Sequence, residues 1–312
     1  MRPLRIGTRG SALARWQAEY VRAGLARHGT SAELVIIRTS GDRDRQSSLR
    51  EIGGKGVFTK ELEDALLEER IDLAVHSMKD VPTTLPPGLE IAAICEREDP
   101  RDALVSRGGL KLDELPSAAR VGTSSLRRQA QLRHHRADLE MAEMRGNVDT
   151  RLAKLAQGDY HAIVLAKAGL ERLGRAGQIS ELLAPAICLP AAGQGAVGIE
   201  MRAGDEFSAT VRKLNHRESQ AAVEAERAVL AGLESGCQVP LGVWARGESA
   251  GESRGLKLDA CVLSVDGAEA LRETCVGSWE NPRELGALAA AALIERGAGR
   301  LLRLMGRGVE HG

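Results

Sequence analysis

Residues 120–128 run Arg120-Val121-Gly122-Thr123-Ser124-Ser125-Leu126-Arg127-Arg128, and Arg5-Ile6-Gly7-Thr8-Arg9-Gly10-Ser11 near the N-terminus has the same build. Each opens with a short apolar segment that fits a strand. Each then reaches a serine whose hydroxyl can cap a helix: Ser11 for a helix to about Arg27, and Ser124 onward for one to about His135. The flanking order matches as well. After the first copy come a β-branched strand at 33–39, a helix at 59–70 and a strand at 71–75. After the second come a strand at 138–144, a helix at 147–157 and a strand at 161–166. Strands alternating with helices predict βα-type sheets, and the matched order predicts two domains of one topology.

Working outward, Pro82, Pro86 and Pro87 break regular structure after the first copy. A short strand at 103–105 leads into the second. Residues 199–201 read as a strand returning from it. A helix at 217–232, strands at 239–245, 256–265 and 271–276, and a last helix at about 282–305 make a third, α+β unit. The expected division is 1–97 plus 196–215, 98–195 and 216–312.

Composition narrows the function. Lys plus Arg and Asp plus Glu are both 43, so no basic excess exists to bind nucleic acid through bulk charge. Aromatics at 2% supply few stacking platforms for bases. Apolar residues at 43% suit a folded globular chain. No apolar run approaches the ~18 residues of a membrane span, and Met1-Arg-Pro-Leu-Arg-Ile-Gly7 has no signal-peptide apolar core. The expectation is a cytoplasmic protein with no membrane or nucleic-acid partner. The five cysteines are odd in number and form no Cys-x-x-Cys, which argues against a disulfide framework and a structural zinc site.

Two glycine motifs fail as nucleotide sites. Gly193-Gln-Gly-Ala-Val-Gly198 matches G-x-G-x-x-G, but Pro190 precedes it and a strand-like run follows, which suits a flexible interdomain crossing better. Gly53-Gly-Lys55-Gly56 lacks the earlier glycine and the Ser/Thr of a P-loop, although its backbone N–H groups and Lys55 suit an anion. Arginine outnumbers lysine 35 to 8, and its placement is informative. Arg127 and Arg128 fall in the first turn of a helix, where the macrodipole disfavours cations. An anion held by serine hydroxyls, backbone N–H groups and guanidinium forks would reverse that balance. Arg145 and Arg151 repeat the theme around the next strand-to-helix junction, and Arg9 with Ser11 follows the first strand. Cations thus gather at strand C-terminal ends, where open α/β sheets bind ligands. Lys79-Asp80 ends another strand, and an acid among cations can stabilise positive charge formed in a reaction. Gly236-Cys237-Gln-Val-Pro240 puts one thiol in a turn-prone loop, the best candidate for an accessible nucleophile.

Together these segments resemble the hydroxymethylbilane synthase (porphobilinogen deaminase) family. Seven motifs occur in the family's order across nearly the whole chain: the 5–11 segment, Gly53 to Phe58, Val75-His-Ser-Met-Lys79-Asp80-Val-Pro82, Gly122 to Arg128, Arg145-Gly-Asn-Val, Leu189-Pro-Ala-Ala-Gly-Gln-Gly-Ala196 and Gly236 to Pro240. The resemblance implies three domains, the first two like type II periplasmic binding proteins with mixed sheets flanked by helices, the third a small α+β domain. It implies a monomeric transferase that joins four porphobilinogen molecules head to tail, losing ammonia each time, and releases hydroxymethylbilane for tetrapyrrole (heme) biosynthesis. It also implies a dipyrromethane cofactor on a thioether to Cys237, with no metal. Asp80 maps onto the catalytic acid, which would stabilise the azafulvene-like cation left when ammonia departs. Lys79, Asp80, Thr123, Ser125, Arg127, Arg128 and Arg145 map onto cofactor contacts. Arg9, Ser11, Lys55, Phe58, Arg145, Arg151, Arg172 and Gln194 map onto substrate contacts. A pyrrole chain bearing acetates and propionates is a polyanion, which calls for the bidentate donors that arginine supplies. Lys167 stands where an apolar strand residue is expected and offers a further contact to carboxylate. The rival classes are a non-catalytic anion-binding protein and a nucleotide-dependent enzyme.

Overall fold

A computed structural model describes residues 2–39, 59–233, 239–250 and 253–307. The chain divides into two compact units, Met1–Glu98 with Gly195–Gln220, and Asp99–Gln194 with Ala221–Gly312.

The first unit holds β1 (Leu4–Thr8), α1 (Ala12–Arg27), β2 (Ala32–Ile36), α2 (Lys60–Leu67), β3 (Leu73–Ser77), a 3-10 turn at Met78–Asp80 and β4 (Leu89–Ile94). The second unit's sheet is built from β5 (Asp102–Ser106), β6 (Arg120–Gly122), α3 (Leu126–His135), β7 (Glu140–Ala142), α4 (Val148–Gln157), β8 (Ala162–Ala166), α5 (Lys167–Arg172) and β9 (Glu181–Leu182). The chain then returns to the first unit with β10 (Val197–Arg202) and α6 (Ser208–Val211). The strand orders are β2-β1-β3-β10-β4 and β7-β6-β8-β5-β9. In each sheet the first three strands are parallel and the fourth runs antiparallel to its neighbours on both sides. The two sheets therefore match position by position, as the repeated motif predicts. They differ in where the antiparallel strand comes from: β5 opens the second sheet, whereas β10 joins the first only after the second is complete.

The glycine shared by the two motifs has a packing cause. A Cβ on Gly7 would lie 2.3 Å from Ile71 Cδ1, and one on Gly122 would lie 2.8 Å from both Met144 Cε and Tyr160 Cδ1. Each strand lets a neighbouring side chain cross directly over its backbone.

The last elements are α7 (Arg217–Gly232), β11 (Leu241–Ala250), β12 (Ser253–Leu263), β13 (Ala270–Gly277), α8 (Pro282–Glu295) and α9 (Ala298–Arg307). The antiparallel sheet β11-β12-β13 buries Val243, Leu258 and Val262 against Ala225 and Val229 of α7 and Ala289 and Leu293 of α8. The single helix expected at 282–305 is two helices, because Gly297 takes a left-handed φ of 102° between them. The prolines before residue 88 do break structure, but the apolar run directly after them forms β4, which the sequence reading passed over. Among the described residues, no helix is long and apolar enough to cross a membrane.

Candidate active site

In the first unit, Ser11 caps α1 by accepting a hydrogen bond from Ala14 N at 3.3 Å, as its place in the motif requires. Buried Thr8 donates to Ala14 O at 3.0 Å and ties the end of β1 to the same turn. Gln17 of α1 donates to Ser77 Oγ at 2.8 Å, at the end of β3. The chain then makes the 3-10 turn that carries Lys79 and Asp80, both half-buried. Arg9, Ser11, Gln17, His76, Ser77 and Asp80 are among the residues lining a pocket of about 70 Å³. Among the described residues no ion pair holds the Asp80 carboxylate.

The second unit brings the arginines together. Ser125 caps α3 by accepting from Arg128 N at 3.4 Å, and Thr123 Oγ1, fully buried, accepts from Ser125 N at 3.3 Å. Ser124 Oγ donates to Met144 O at 2.6 Å and accepts from Met144 N at 3.1 Å, fastening this loop to the one after β7. Asn147 caps α4, and Arg151 on that helix donates from Nε to Gly146 O at 2.7 Å. Arg145 reaches Glu143 at 3.2 Å. Burial first, and then the guanidiniums of Arg128 and Arg145, bring Arg151 down to about 10. Three arginines are therefore close enough to repel one another, an arrangement that favours an anionic ligand. Arg172 closes α5 and is half-buried.

One expectation needs correcting. The first-turn arginines were read as requiring a ligand anion, but the chain supplies one. Arg127 donates to Asp102 Oδ2 at 2.6 Å and to Leu189 O at 2.6 Å. Arg128 donates to Asp102 Oδ1 from Nη2 at 2.7 Å and from Nε at 3.0 Å, and to Val164 O at 2.9 Å. Gln194 donates to the same Asp102 Oδ1 at 2.9 Å and to Pro100 O at 2.6 Å. Asp102, at 0% exposure, is thus a hub. Burial alone would raise its carboxyl, but the two guanidiniums hold it well below the usual carboxylate range. Cys188 donates its thiol hydrogen to Asp102 Oδ2 at 3.3 Å, and burial followed by that carboxylate pushes it up to about 12, far from a thiolate. Asp102 was missed because an acid opening a short apolar strand reads as a strand end. The signal that could have found it is the demand of two buried first-turn arginines for a carboxylate.

Other expectations were also refined. Lys167 begins a helix after β8 and pairs with Glu171 at 2.6 Å and Asp99 at 3.7 Å, so carboxylates of the protein meet it. At the G-x-G-x-x-G run, β10 follows and no helix opens. The crossing is held rather than free at its start: Gly193, at φ 70°, donates to buried Glu226 of α7 at 2.7 Å, and Glu226 also accepts from Ala245 N at 2.9 Å. Lys55, Phe58 and Cys237 lie outside the described residues. Of the other cysteines, Cys95, Cys188 and Cys261 are buried and Cys275 is partly so.

Comparison with known proteins puts this geometry in context. Residues 4–210 match the family model for the porphobilinogen deaminase dipyrromethane cofactor binding domain, and residues 220–295 match that for the porphobilinogen deaminase C-terminal domain. The porphobilinogen deaminase of Moorella thermoacetica is 52% identical over 303 residues, 96% of each chain. That of Pelotomaculum thermopropionicum is 50% identical over 305 residues, 97% of this chain and 96% of the relative. Among solved structures, a VFT2 domain of Bordetella pertussis BvgS covers 68% of this chain and 85% of that one at 14% identity, with a TM-score of 0.42. Because two family models span nearly all of the sequence and full-length relatives share about half of it, the chain belongs to the porphobilinogen deaminase family.

Proposed function

We propose that this chain condenses four porphobilinogen molecules head to tail, releasing ammonia at each step, to form hydroxymethylbilane. The observation that carries this is a half-buried carboxylate, Asp80, with no ion-pair partner among the described residues, in one pocket with Arg9 and Ser11, within a chain that matches the deaminase models over residues 4–210 and 220–295.

The donor set fits the dipyrromethane cofactor. Its acetate and propionate groups call for several forks, and the mutual repulsion of Arg128, Arg145 and Arg151 is relieved when carboxylates enter. Attached through the Cys237 thioether, the cofactor supplies a pyrrole carbon to which the first substrate joins. Lys79, Thr123, Ser125 and Arg145 would hold it, Arg145 by charge, while Arg127 and Arg128, engaged by Asp102, act at one remove. Arg9, Ser11, Lys55, Arg145, Arg151 and Arg172 take the carboxylates of incoming porphobilinogen, and Phe58 stacks on its ring. Gln194 acts at one remove, since its amide is engaged by Asp102 and Pro100. Asp80 would supply a negative charge at the place where ammonia leaves a cation on the pyrrole, stabilising the transition state more than the bound substrate. The enzyme is read as a cytoplasmic monomer with domains at 1–97 plus 196–215, 98–195 and 216–312.

Intact mass tests this. Freshly purified active protein is expected to be heavier than its sequence by one dipyrromethane, and Cys237→Ser to have the bare mass and no turnover. Active protein of bare mass would overturn the cofactor assignment.

A further inference from the structure

Asp80 follows β3 in a 3-10 turn, and beside the pocket it lines that strand carries a cluster of titratable groups that the reaction above does not use. His76 Nε2 lies 2.8 Å from Glu200 Oε2, with the two side chains 4% and 0% exposed. The register explains the contact. β10 pairs antiparallel with β3, His76 opposite Gly198 and Glu200 opposite Ala74, so His76 and Glu200 are diagonal neighbours on one face. Gly198 leaves that face open: a Cβ there would fall 2.1 Å from Met78 Sδ. Glu63 of α2 is buried on the same side, beside the α2 core that contains Ala74. Its Oε1, and Oε1 of Glu200, are buried with no hydrogen-bond partner among the described residues.

Two carboxylates buried so close together cannot both be ionised cheaply. Burial pushes the Glu63 carboxyl up, opposed by Thr59 and reinforced by the like charge of Glu200. Glu200 accepts the Nε2 hydrogen of His76. The other charged groups around the cluster are met elsewhere. Asp64 of α2 pairs with Lys60, and Glu90 of β4 pairs with Arg212. Arg9 and Asp80 face His76 across the pocket that all three line.

We propose that the buried His76–Glu200 pair, with Glu63, is a positioning and charge-setting device for Asp80, the carboxylate that lines the pocket among the described residues. This rests on the assignment of Asp80 to the chemistry. If His76 is removed, Glu200 becomes an uncompensated negative neighbour, and like charge drives Asp80 toward its protonated, ineffective form. If Glu200 is removed instead, that pressure disappears. On the other face of β3, the Gln17–Ser77 hydrogen bond holds the strand end in place throughout.

The test is the pH dependence of single-turnover ammonia release from porphobilinogen by the loaded enzyme, with melting temperature and cofactor content measured alongside. His76→Asn is expected to move the acid limb upward by on the order of one pH unit, with cofactor content and KM as in the parent. Glu200→Gln moves the limb downward, and the double variant brings it back toward the parent's position. Glu200→Gln alone carries the test if His76→Asn does not fold. An acid limb that stays put in the folded single variants, or that the double variant fails to restore, overturns the proposal. A pair that serves only packing lowers the melting temperature without moving the limb. Asp80→Asn separates the two assignments: parental turnover in that variant removes Asp80 from the chemistry, whereas slow turnover with an unmoved limb in the cluster variants removes only the His76–Glu200 device.

Discussion

The two five-stranded sheets share one strand order, yet each solves the same buried-charge problem differently. In both, the antiparallel fourth strand carries a fully buried carboxylate, Glu200 on β10 and Asp102 on β5. In the second unit Asp102 is matched by two guanidiniums, Arg127 and Arg128, which stay charged at any accessible pH. In the first unit Glu200 is matched by one imidazole, that of His76, at 2.8 Å. A permanent pairing suits a wall that holds the carboxylates of a growing chain. A single imidazole contact suits the neighbourhood of the carboxylate proposed for the chemistry. The backbone framework does not dictate either choice; the residues placed against the fourth strand do.

Asp102→Asn should break this comparison most severely. It leaves two buried guanidiniums without their carboxylate, and removing one partner of a buried pair costs about 3–5 kcal/mol. A melting temperature lower by on the order of 10 °C is expected, together with loss of dipyrromethane, read by intact mass. Glu200→Gln should cost less, because it leaves one imidazole rather than two guanidiniums without a carboxylate. If the order were reversed, the distinction between the two pairings would fail. The same contrast has a pH signature. The folded carboxyl of Asp102 is depressed, so its contribution is fully present above the unfolded carboxylate value of about 3.9 and is lost only as pH falls through the lower folded value. Acid titration of the melting temperature in the parent and in Asp102→Asn measures that window.

Asp80→Asn tests whether the first unit carries the chemistry. A loss of about 10²–10³ in single-turnover rate is expected, with melting temperature and cofactor content preserved. Asp80→Glu, which keeps the charge but displaces it, should retain more activity. An Asn variant as fast as the Glu variant would leave the two units without a functional difference at this position.

The smallest effect should come from the feature the units share. Gly7→Ala and Gly122→Ala each push a Cβ into a neighbouring side chain, Ile71 in one sheet and Met144 with Tyr160 in the other. Overpacking of this kind costs about 1–3 kcal/mol. Similar losses in chemical denaturation would support the equivalence of the two motifs, and a loss confined to one would limit it.

Much of the architecture was legible before any coordinates. The cap at Ser11, the helix starts near 124 and 147 and the repeated strand–helix order all rest on interactions within a few residues, although the second helix is capped one residue later, by Ser125. The cations at the strand-to-helix junctions were visible for the same reason. The break at Gly297 was harder to read, because the flanking residues are strong helix formers and only the left-handed φ of one glycine separates the two helices. β4 was hidden because its pairing partner, β10, lies on the far side of the second unit in sequence.

The sequence by itself determined the fold class, the repeated unit and the residue types available to bind a polyanion, because hydrogen-bond caps and hydrophobic periodicity are local. Only the tertiary structure decided which charges oppose which. Arg127 meets a carboxylate 25 residues away, and His76 meets one 124 residues away. Both contacts depend on strand register and burial, and burial removes the water that would otherwise screen these charges, so that a spare cation becomes half of an ion pair and a strand glutamate becomes the partner of a histidine.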